Sequence, residues 1–202
     1  IIDLVKENNI NLEIHISTQE CTLNSEAVKF YKEEGVKRVV LARETPIEII
    51  QQACQMGVEI EVFTYGAICI SYSGQCMMSA SVKNRSANRG MCAQPCRMKY
   101  NLYEDGNKVD THGDYVLSPK DLSLMDEVNT LANMGVCSLK IEGRMKSAPY
   151  VYESVSQVKK VLENKERSRL DEQNLRVTFN REYTLGHMYK ASGNELMNSK
   201  TC

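Results

Sequence analysis

The sequence predicts an α/β fold: a partial TIM-type (β/α) barrel with a cysteine-rich insertion and the start of a C-terminal segment. Short apolar runs typical of buried strands alternate with amphipathic helical stretches on both sides of residues 66–113. Such repeated units imply a parallel sheet, and their sequential order favours a barrel over a doubly wound sheet. Five strands are visible in the sequence where a complete barrel has eight, so we expect part of a barrel.

The first half of the chain contains three predicted strands separated by two predicted helices. The second helix has a clear start signal, because Thr45 is a suitable N-cap and Pro46 occupies the first helical position. Gly35 and Gly57 end the two helices. The strands span residues 12–17, 37–42 and 58–63, and the helices span residues 25–34 and 46–56.

The alternation breaks at Gly66 and resumes after Asp114. Within the interruption, residues 100–109 predict a hairpin that turns at Asp105-Gly106. Beyond it we expect strands at residues 115–117 and 137–141, helices at residues 123–134 and 149–163, and a charged linker at residues 165–173.

These elements predict two regions. Residues 1–165 form the C-terminal part of a barrel with the cysteine-rich, cluster-binding loop region at 66–113, and residues 166–202 form a linker and the beginning of a C-terminal region. The chain begins without Met and already in helical periodicity, so we expect it to be truncated at both ends. It contains no apolar run of membrane length and no signal segment, which predicts a cytoplasmic protein without a membrane partner.

Four cysteines in the pattern C-x6-C-x15-C-x3-C predict one soft-metal site. The spacing fits poorly with the paired C-x2-C knuckles of structural zinc sites, so a 4Fe–4S cluster is favoured and structural zinc is the alternative. Clustering of half the cysteines in one window argues against a disulfide framework. The four candidate ligands are Cys69, Cys76, Cys92 and Cys96; Cys21, Cys54, Cys137 and Cys202 are expected to be ordinary thiols.

The cysteine-rich stretch is also basic. No Asp or Glu occurs between Val62 and Tyr103, which indicates a surface suited to a polyanion such as RNA. Alternatively, these cations offset the negative charge of a thiolate-bound metal. The candidate RNA contacts are Lys83, Arg85, Arg89, Arg97 and Lys99.

Charged residues at predicted strand ends are the candidate catalytic groups, because barrel enzymes place their chemistry there. Arg43 follows the second strand, and Lys140, Glu142 and Arg144 lie at the fifth. Strand alternation puts those last three on one face unless Gly143 breaks it; a structural ion-pair network is the alternative. The sequence contains no G-x-S-x-G, H-E-x-x-H or P-loop motif.

Residues 61–79, EVFTYGAICISYSGQCMMS, resemble the signature of the collagenase-like peptidase family of unassigned catalytic type. The blocks NRGMCAQPCR, SPKDL, LKIEGRMKS and FNREYTLGHMY are similar to further family blocks, so the resemblance covers nearly the whole chain. Many relatives carry His where this chain has Tyr65, which puts any proton-transfer role at that position in doubt.

The resemblance implies two different activities. The family carries a peptidase label, whereas its better-understood members hydroxylate RNA bases or a ubiquinone precursor with a 4Fe–4S cluster and prephenate as hydroxyl donor. The blocks are most similar to the tRNA uridine 5-hydroxylation branch, and Cys69, Cys76, Cys92 and Cys96 match its cluster ligands.

We therefore expect oxygen-independent hydroxylation of the tRNA wobble uridine, with Arg43 or Arg144 binding the carboxylates of a small dicarboxylate co-substrate. The first alternative is a peptidase, although cluster-bound cysteines cannot serve as free nucleophiles and four-thiolate zinc sites are closed. The second is a non-catalytic RNA-binding module with a structural four-cysteine site.

Overall fold

The computed structural model of the chain describes residues 1–111 and 113–200 and has a mixed α/β architecture. The strands are β1 (His15–Ile16), β2 (Arg38–Val40), β3 (Glu59–Ala67), β4 (Tyr103–Glu104), β5 (Asn107–Lys108), β6 (Asp121–Ser123), β7 (Ser138–Glu142) and β8 (Tyr183–Thr184). The helices are α1 (Ile2–Glu7), α2 (Ser25–Glu33), α3 (Ile47–Cys54), α4 (Met78–Lys83), α5 (Val128–Met134), α6 (Ala148–Leu162) and α7 (Arg169–Thr178). Within the described ranges, no helix is both long and apolar enough to cross a membrane.

The main sheet is organised around β3 and is mostly parallel. β1 pairs with β2, β2 with β3, and β7 with β3, all in parallel. β6 pairs antiparallel with the last residues of β3, and β8 pairs in parallel with β6. The predicted α/β class with a mainly parallel sheet is confirmed, and the partial barrel stays a prediction.

A register irregularity in β3 divides the apolar interior into two core clusters. The pairing with β7 shifts between Phe63 and Tyr65, so these two side chains join different clusters. Phe63 packs with Val39, Ile60 and other residues of the larger core, beneath α2 and α3. Tyr65 belongs to the smaller core, with side chains that include Met125, Tyr150, Val158 and Leu175.

Most predicted elements before residue 66 are confirmed with ends shifted by a few residues, and so is the hairpin. Its turn residues Asp105 and Gly106 have φ angles of 50° and 81°, as a two-residue hairpin turn requires.

The strand predicted at residues 115–117 is wrong. Val116 and Leu117 lie in a turn, and Ser118 donates its N–H to the carbonyl of Tyr115. The strand forms instead at Asp121–Ser123, where the leading polar side chain is 3% exposed. A search of the sequence for apolar runs misses this strand, because its first residue is a buried aspartate.

The predicted charged linker is helical from Arg169 onward. Ser168 and Asp171 form a capping box at the start of α7, and Lys160 of α6 donates to the Asp171 carboxylate at 2.6 Å. Gln157 of α6 donates to the Asp171 carbonyl at 2.6 Å. The charges therefore start a helix and attach it to α6.

A buried ion pair holds β8 beside β6. The Arg181 guanidinium donates to Oδ1 of Asp121 at 3.1 and 2.8 Å, and the Arg181 N–H donates to Oδ2 at 3.1 Å. Both side chains are about 5% exposed or less. Asn198 donates to the Arg181 carbonyl at 2.7 Å, so residues near the described end of the chain complete this network.

The cysteine-rich segment, residues 66–113, is attached to the 3₁₀ turn Thr18–Glu20, which follows β1. Gln19 Nε2 donates to the Asn88 carbonyl at 2.9 Å, and Asn88 Nδ2 donates to the Gly74 carbonyl at 2.7 Å. Gly74 has φ +76°, and a Cβ placed there would overlap the Gln19 carbonyl oxygen. Only glycine permits this backbone contact.

The same segment is attached to the residues that follow β2. Ser73 is fully buried, donates to the Glu44 carboxylate at 3.0 Å and accepts the Arg43 N–H at 3.4 Å. β1, β2 and β3 run parallel, so their carboxyl ends lie at one edge of the sheet. The cysteine-rich segment thus covers that edge, where α/β proteins commonly bind ligands.

We predict that Arg181→Met destabilises the protein by about 3–5 kcal/mol, because Asp121 is left buried without its charged partner. Urea unfolding followed by circular dichroism measures the change. Glu182→Gln is the matched control: it removes a 3.2 Å pair with Lys120 in which Glu182 is 57% exposed, and we expect a change below about 1 kcal/mol. Equal losses for both variants would mean that the buried pair contributes no more than the exposed one.

We predict that Gly74→Ala detaches the cysteine-rich segment from the β1 end. Tryptic cleavage at the exposed Arg85 and Arg89 should then become on the order of tenfold faster, because the segment opens more often. Gly106→Ala is the control, since Gly106 has a similar φ of +81° but open space around it. If both variants are cleaved equally fast, backbone strain and not the contact with Gln19 is responsible.

Candidate metal centre and basic surface

The four candidate ligands lie on the segment that covers the strand edge. Cys69 follows β3 by two residues, Cys76 precedes α4, Cys92 follows a 3₁₀ turn at Ala87–Arg89, and Cys96 lies in the 3₁₀ turn Pro95–Arg97. All four are free thiols; Cys69 and Cys92 are exposed, and the other two are half-buried. Cys21, Cys54 and Cys137 are also free, whereas Cys202 lies outside the described residues.

The buried side chain of Arg97 brings the two ends of the cysteine set together. Its guanidinium donates to the Ile68 carbonyl at 2.8 Å, to Ser118 Oγ at 2.7 Å and to the Pro119 carbonyl. Arg97 follows Cys96 and Ile68 precedes Cys69, so this one side chain holds the neighbours of two distant cysteines in contact.

The pKa values of two of the four thiols, Cys69 and Cys96, respond to the other cysteines of the set. Burial raises the pKa of Cys96, Arg97 lowers it, and the other three thiols raise it. Solvent reaches one side of Cys69, and protein atoms packed on its other side raise its pKa; Cys92 and Cys76 raise it further. Effects of this kind decrease with distance, so the other three thiols lie near Cys96.

Two backbone or hydroxyl donors are directed at Cys92. The Gln94 N–H lies 3.3 Å from Cys92 Sγ, and the positive φ of Gln94, 54°, sets its local geometry. The buried Ser79 hydroxyl lies 3.7 Å from the same sulfur and accepts the Ala93 N–H at 2.9 Å. Hydrogen bonds to sulfur are one of the means by which proteins tune iron–sulfur clusters.

The donor set fits a soft metal or cluster, because it consists of thiols. Among residues 1–111 and 113–200, no three Cys, His, Asp or Glu side chains are arranged to hold a metal ion. The thiols are therefore gathered without forming a closed coordination shell.

Arg43 is the cation that most affects Cys69. Burial raises the pKa of this thiol, and Arg43 lowers it. Its guanidinium carbon lies 5.0 Å from the centre of the Phe63 ring. Its Nε is buried without a hydrogen-bond partner among the described residues. A buried donor of this kind is costly to leave unpaired, which makes Arg43 a candidate for binding an anionic ligand.

Lys140 is paired within the protein. Its Nζ donates to Glu61 Oε1 at 2.8 Å and lies 5.5 Å from the centre of the Phe63 ring. Burial would raise the pKa of Glu61, but the hydrogen bonds from Lys140 and Ser138 outweigh it and lower the pKa. Lys140 therefore takes part in the kind of structural ion pair that was the alternative to catalysis.

Arg144 is separated from Lys140 and Glu142, which both lie in β7. β7 ends at Glu142, so Arg144 lies beyond the strand and the expected common face is wrong for it. Glu142 Oε1 accepts the Arg144 N–H at 3.0 Å. The Arg144 guanidinium lies against Gly90, where a Cβ would come 2.9 Å from Nη1. Arg144 thus reaches the cysteine-rich segment two residues before Cys92.

Four of the five predicted RNA contacts are exposed, and their contact with RNA stays a prediction. Lys83, Arg85 and Arg89 are exposed, and Lys99 is exposed but pairs with Asp114 at 3.0 Å. Arg97 was expected at the surface, but it is only 7% exposed and donates hydrogen bonds to protein atoms. Its position among basic neighbours concealed its structural role in the sequence.

Tyr65 is directed into the smaller core. Its hydroxyl shares a hydrogen bond of 2.8 Å with the Tyr183 hydroxyl, and its ring lies 5.7 Å from that of Tyr150. Burial, followed by the bond with Tyr183, raises its pKa far above the ordinary value. A phenol in this state remains protonated at neutral pH and does not act as a general base there.

Two positioning residues, Ser73 and Gln94, were not singled out from the sequence. Their role depends on contacts across the fold or on a single backbone angle. The sequence did point to Ser79, because it is the last matched residue of the 61–79 signature.

The known proteins similar to this chain include some named for RNA hydroxylation and some named collagenase. The chain is 46% identical over 170 residues to tRNA hydroxylation protein P1 of Bacillus subtilis (81% of this chain, 40% of the relative). It is 39% identical over 153 residues to the 23S rRNA 5-hydroxycytidine C2501 synthase of Escherichia coli (75% and 23%). It is 38% identical over 159 residues to a collagenase of Porphyromonas gingivalis (72% and 38%).

The chain spans 40% or less of the length of each of these three relatives. No solved structure gives a significant match. The family model described as peptidase family U32 matches residues 1–198, nearly the whole sequence. The chain therefore belongs to peptidase family U32.

Proposed function

We propose that the protein containing this chain hydroxylates RNA without molecular oxygen, most specifically the wobble uridine of tRNA at C5. The observation that carries the proposal is the gathering of four thiols at the carboxyl edge of β1–β3, beside the exposed Lys83, Arg85 and Arg89. Relatives named for tRNA hydroxylation and for 23S rRNA 5-hydroxycytidine synthesis support the reaction class.

Cys69, Cys76, Cys92 and Cys96 would hold a 4Fe–4S cluster. Bound there, the cluster would supply a redox-active iron site next to the co-substrate. The N–H of Gln94 and the hydroxyl of Ser79 would remain directed at Cys92, and Arg97 would keep Cys69 and Cys96 together.

The hydroxyl donor in this proposal is prephenate, a dicarboxylate. Arg43 suits one carboxylate because its buried Nε is unpaired within the described part of the chain and its guanidinium is already held over Phe63. Arg144, exposed and lying against Gly90, suits the second carboxylate or an RNA phosphate. The tRNA backbone would lie across the acid-free stretch, where Lys83, Arg85 and Arg89 offer exposed positive charge to phosphate groups.

The collagenase relative supports a peptidase as the second candidate. The cysteine set argues against it, because cysteines bound to a cluster cannot serve as free nucleophiles. A peptidase predicts gelatin cleavage that survives loss of the cysteine set. A structural RNA-binding module predicts colourless protein with stoichiometric zinc.

We predict that a deletion strain lacks 5-hydroxyuridine in its tRNA and that Cys76→Ser does not restore it, because one cluster ligand is lost. Cys137→Ser is the matched control: Cys137 is an exposed free thiol outside the set, and its sulfhydryl donates to the Ile60 carbonyl at 3.1 Å, as a serine hydroxyl can. Mass spectrometry of tRNA nucleosides gives the readout.

The same two variants should differ in metal content after anaerobic purification. The Cys137→Ser protein should be brown with about four irons, and the Cys76→Ser protein should lose most of them. An unchanged 5-hydroxyuridine level in the deletion strain contradicts the tRNA proposal, and stoichiometric zinc without iron contradicts the cluster.

We predict that replacing Lys83, Arg85 and Arg89 together by Gln weakens tRNA binding and lowers the slope of log K against log salt by roughly 2–3, since three phosphate contacts are lost. Filter binding at several salt concentrations measures the slope. The control replaces Lys29, Lys159 and Lys165, which are exposed and lie on or beside α2 and α6. An equal reduction in the control means that binding follows net charge and not this surface.

A further inference from the structure

A cavity of about 210 Å³ lies between α7, β8 and the residues that follow β6. Its lining includes Arg167 and Arg176, each beside an acidic residue that also lines it, together with Tyr183, Leu175 and Leu185. It contains none of the cysteines and none of the candidate catalytic or RNA-contact residues. We propose that this cavity binds a small organic anion whose carboxylate or phosphate group is held by the two guanidinium groups.

Each of the two arginines that line the cavity has an uncharged partner as well as an acidic one. The Arg167 side chain is 15% exposed, and its Nε donates to Gln157 Oε1 at 3.3 Å. The Arg176 guanidinium carbon lies 5.3 Å from the centre of the Tyr183 ring. These uncharged contacts would remain if a ligand anion replaced the acidic partners.

The acidic partners are much less constrained. Asp126, which accepts from Arg167 at 2.8 Å, is 92% exposed. Glu172 lies 3.7 Å from Arg176 one helical turn away, and both side chains are more than half exposed. Exposed pairs of this kind contribute little free energy, so a ligand anion can replace either carboxylate. The lining carries two positive and two negative charges, and displacement of an exposed carboxylate leaves a guanidinium free to bind the ligand anion.

The apolar part of the lining favours an organic ligand over an inorganic ion. Leu175 is 2% exposed, and Leu185 is 45% exposed at the side of the cavity. An apolar cavity of about 150 Å³ accommodates benzene, so the volume here has room for one ring with a carboxylate or phosphate group. A planar guanidinium binds either group through two parallel hydrogen bonds.

The cavity also contacts the interior of the fold. Tyr183 lines it and shares its hydroxyl hydrogen bond with Tyr65 on β3, the strand that leads to Cys69. The binding site is nevertheless separate from the cysteine set, and its test is independent of whether the protein carries a cluster or modifies RNA.

Isothermal titration of the protein with benzoate, phenyl phosphate and the neutral benzamide tests the proposal. We expect saturable binding of benzoate or phenyl phosphate, with the tighter of the two identifying the anionic group, and no binding of benzamide. Arg176→Gln should weaken the anion about tenfold, as the loss of one charge-assisted hydrogen bond predicts.

Arg169→Gln is the matched control, because Arg169 is exposed on the same helix and does not line the cavity. Its affinity for the anion should equal that of the unmodified protein, and all three proteins should unfold at the same urea concentration. Binding of benzamide as tight as benzoate, no binding of either anion, or unchanged affinity in Arg176→Gln would overturn the proposal.

Discussion

The buried guanidinium of Arg97 is the interaction on which the arrangement of the candidate metal centre depends. It joins the Ile68 carbonyl, next to Cys69, to Ser118 and Pro119, which precede β6. Because Arg97 itself follows Cys96, one side chain sets the separation of the first and last cysteines of the set. A buried cation bonded to protein oxygens is expensive to form unless all its partners are present, so the site and the fold around it form together.

The irregularity at Thr64 in β3 has a comparable organising effect on the other side of the fold. It places Phe63, with Arg43 and Lys140 over its ring, in the larger core, and Tyr65 in the smaller one. Two chemically different environments thus arise from neighbouring positions on one strand. The first contains the buried Nε of Arg43 near the thiols, and the second contains a protonated tyrosine beside the anion cavity.

The family is named for peptidases, and some of its members are named for RNA hydroxylation. The two activities would use cysteine in different ways. A cysteine nucleophile needs a low pKa and a base, whereas a cluster ligand needs other thiols nearby and hydrogen bonds to its sulfur. Cys92 receives two hydrogen-bond donors, and other thiols of the set influence both Cys69 and Cys96. Both features are ones that a cluster ligand uses.

Features that depend on local pattern could be predicted from the sequence: the cysteine spacing, the Asp105-Gly106 hairpin, the helices α2, α3 and α6, and the acid-free stretch. Features that depend on distant partners became visible only in the folded chain. β6 forms at Asp121 because Arg181, sixty residues later, neutralises it in the interior. Arg97 is buried and Lys83 is exposed although both are basic residues of one segment, because Arg97 meets three oxygen acceptors in the interior. A polar residue's place inside or outside a protein is set by the groups that satisfy it, and those groups are remote in sequence.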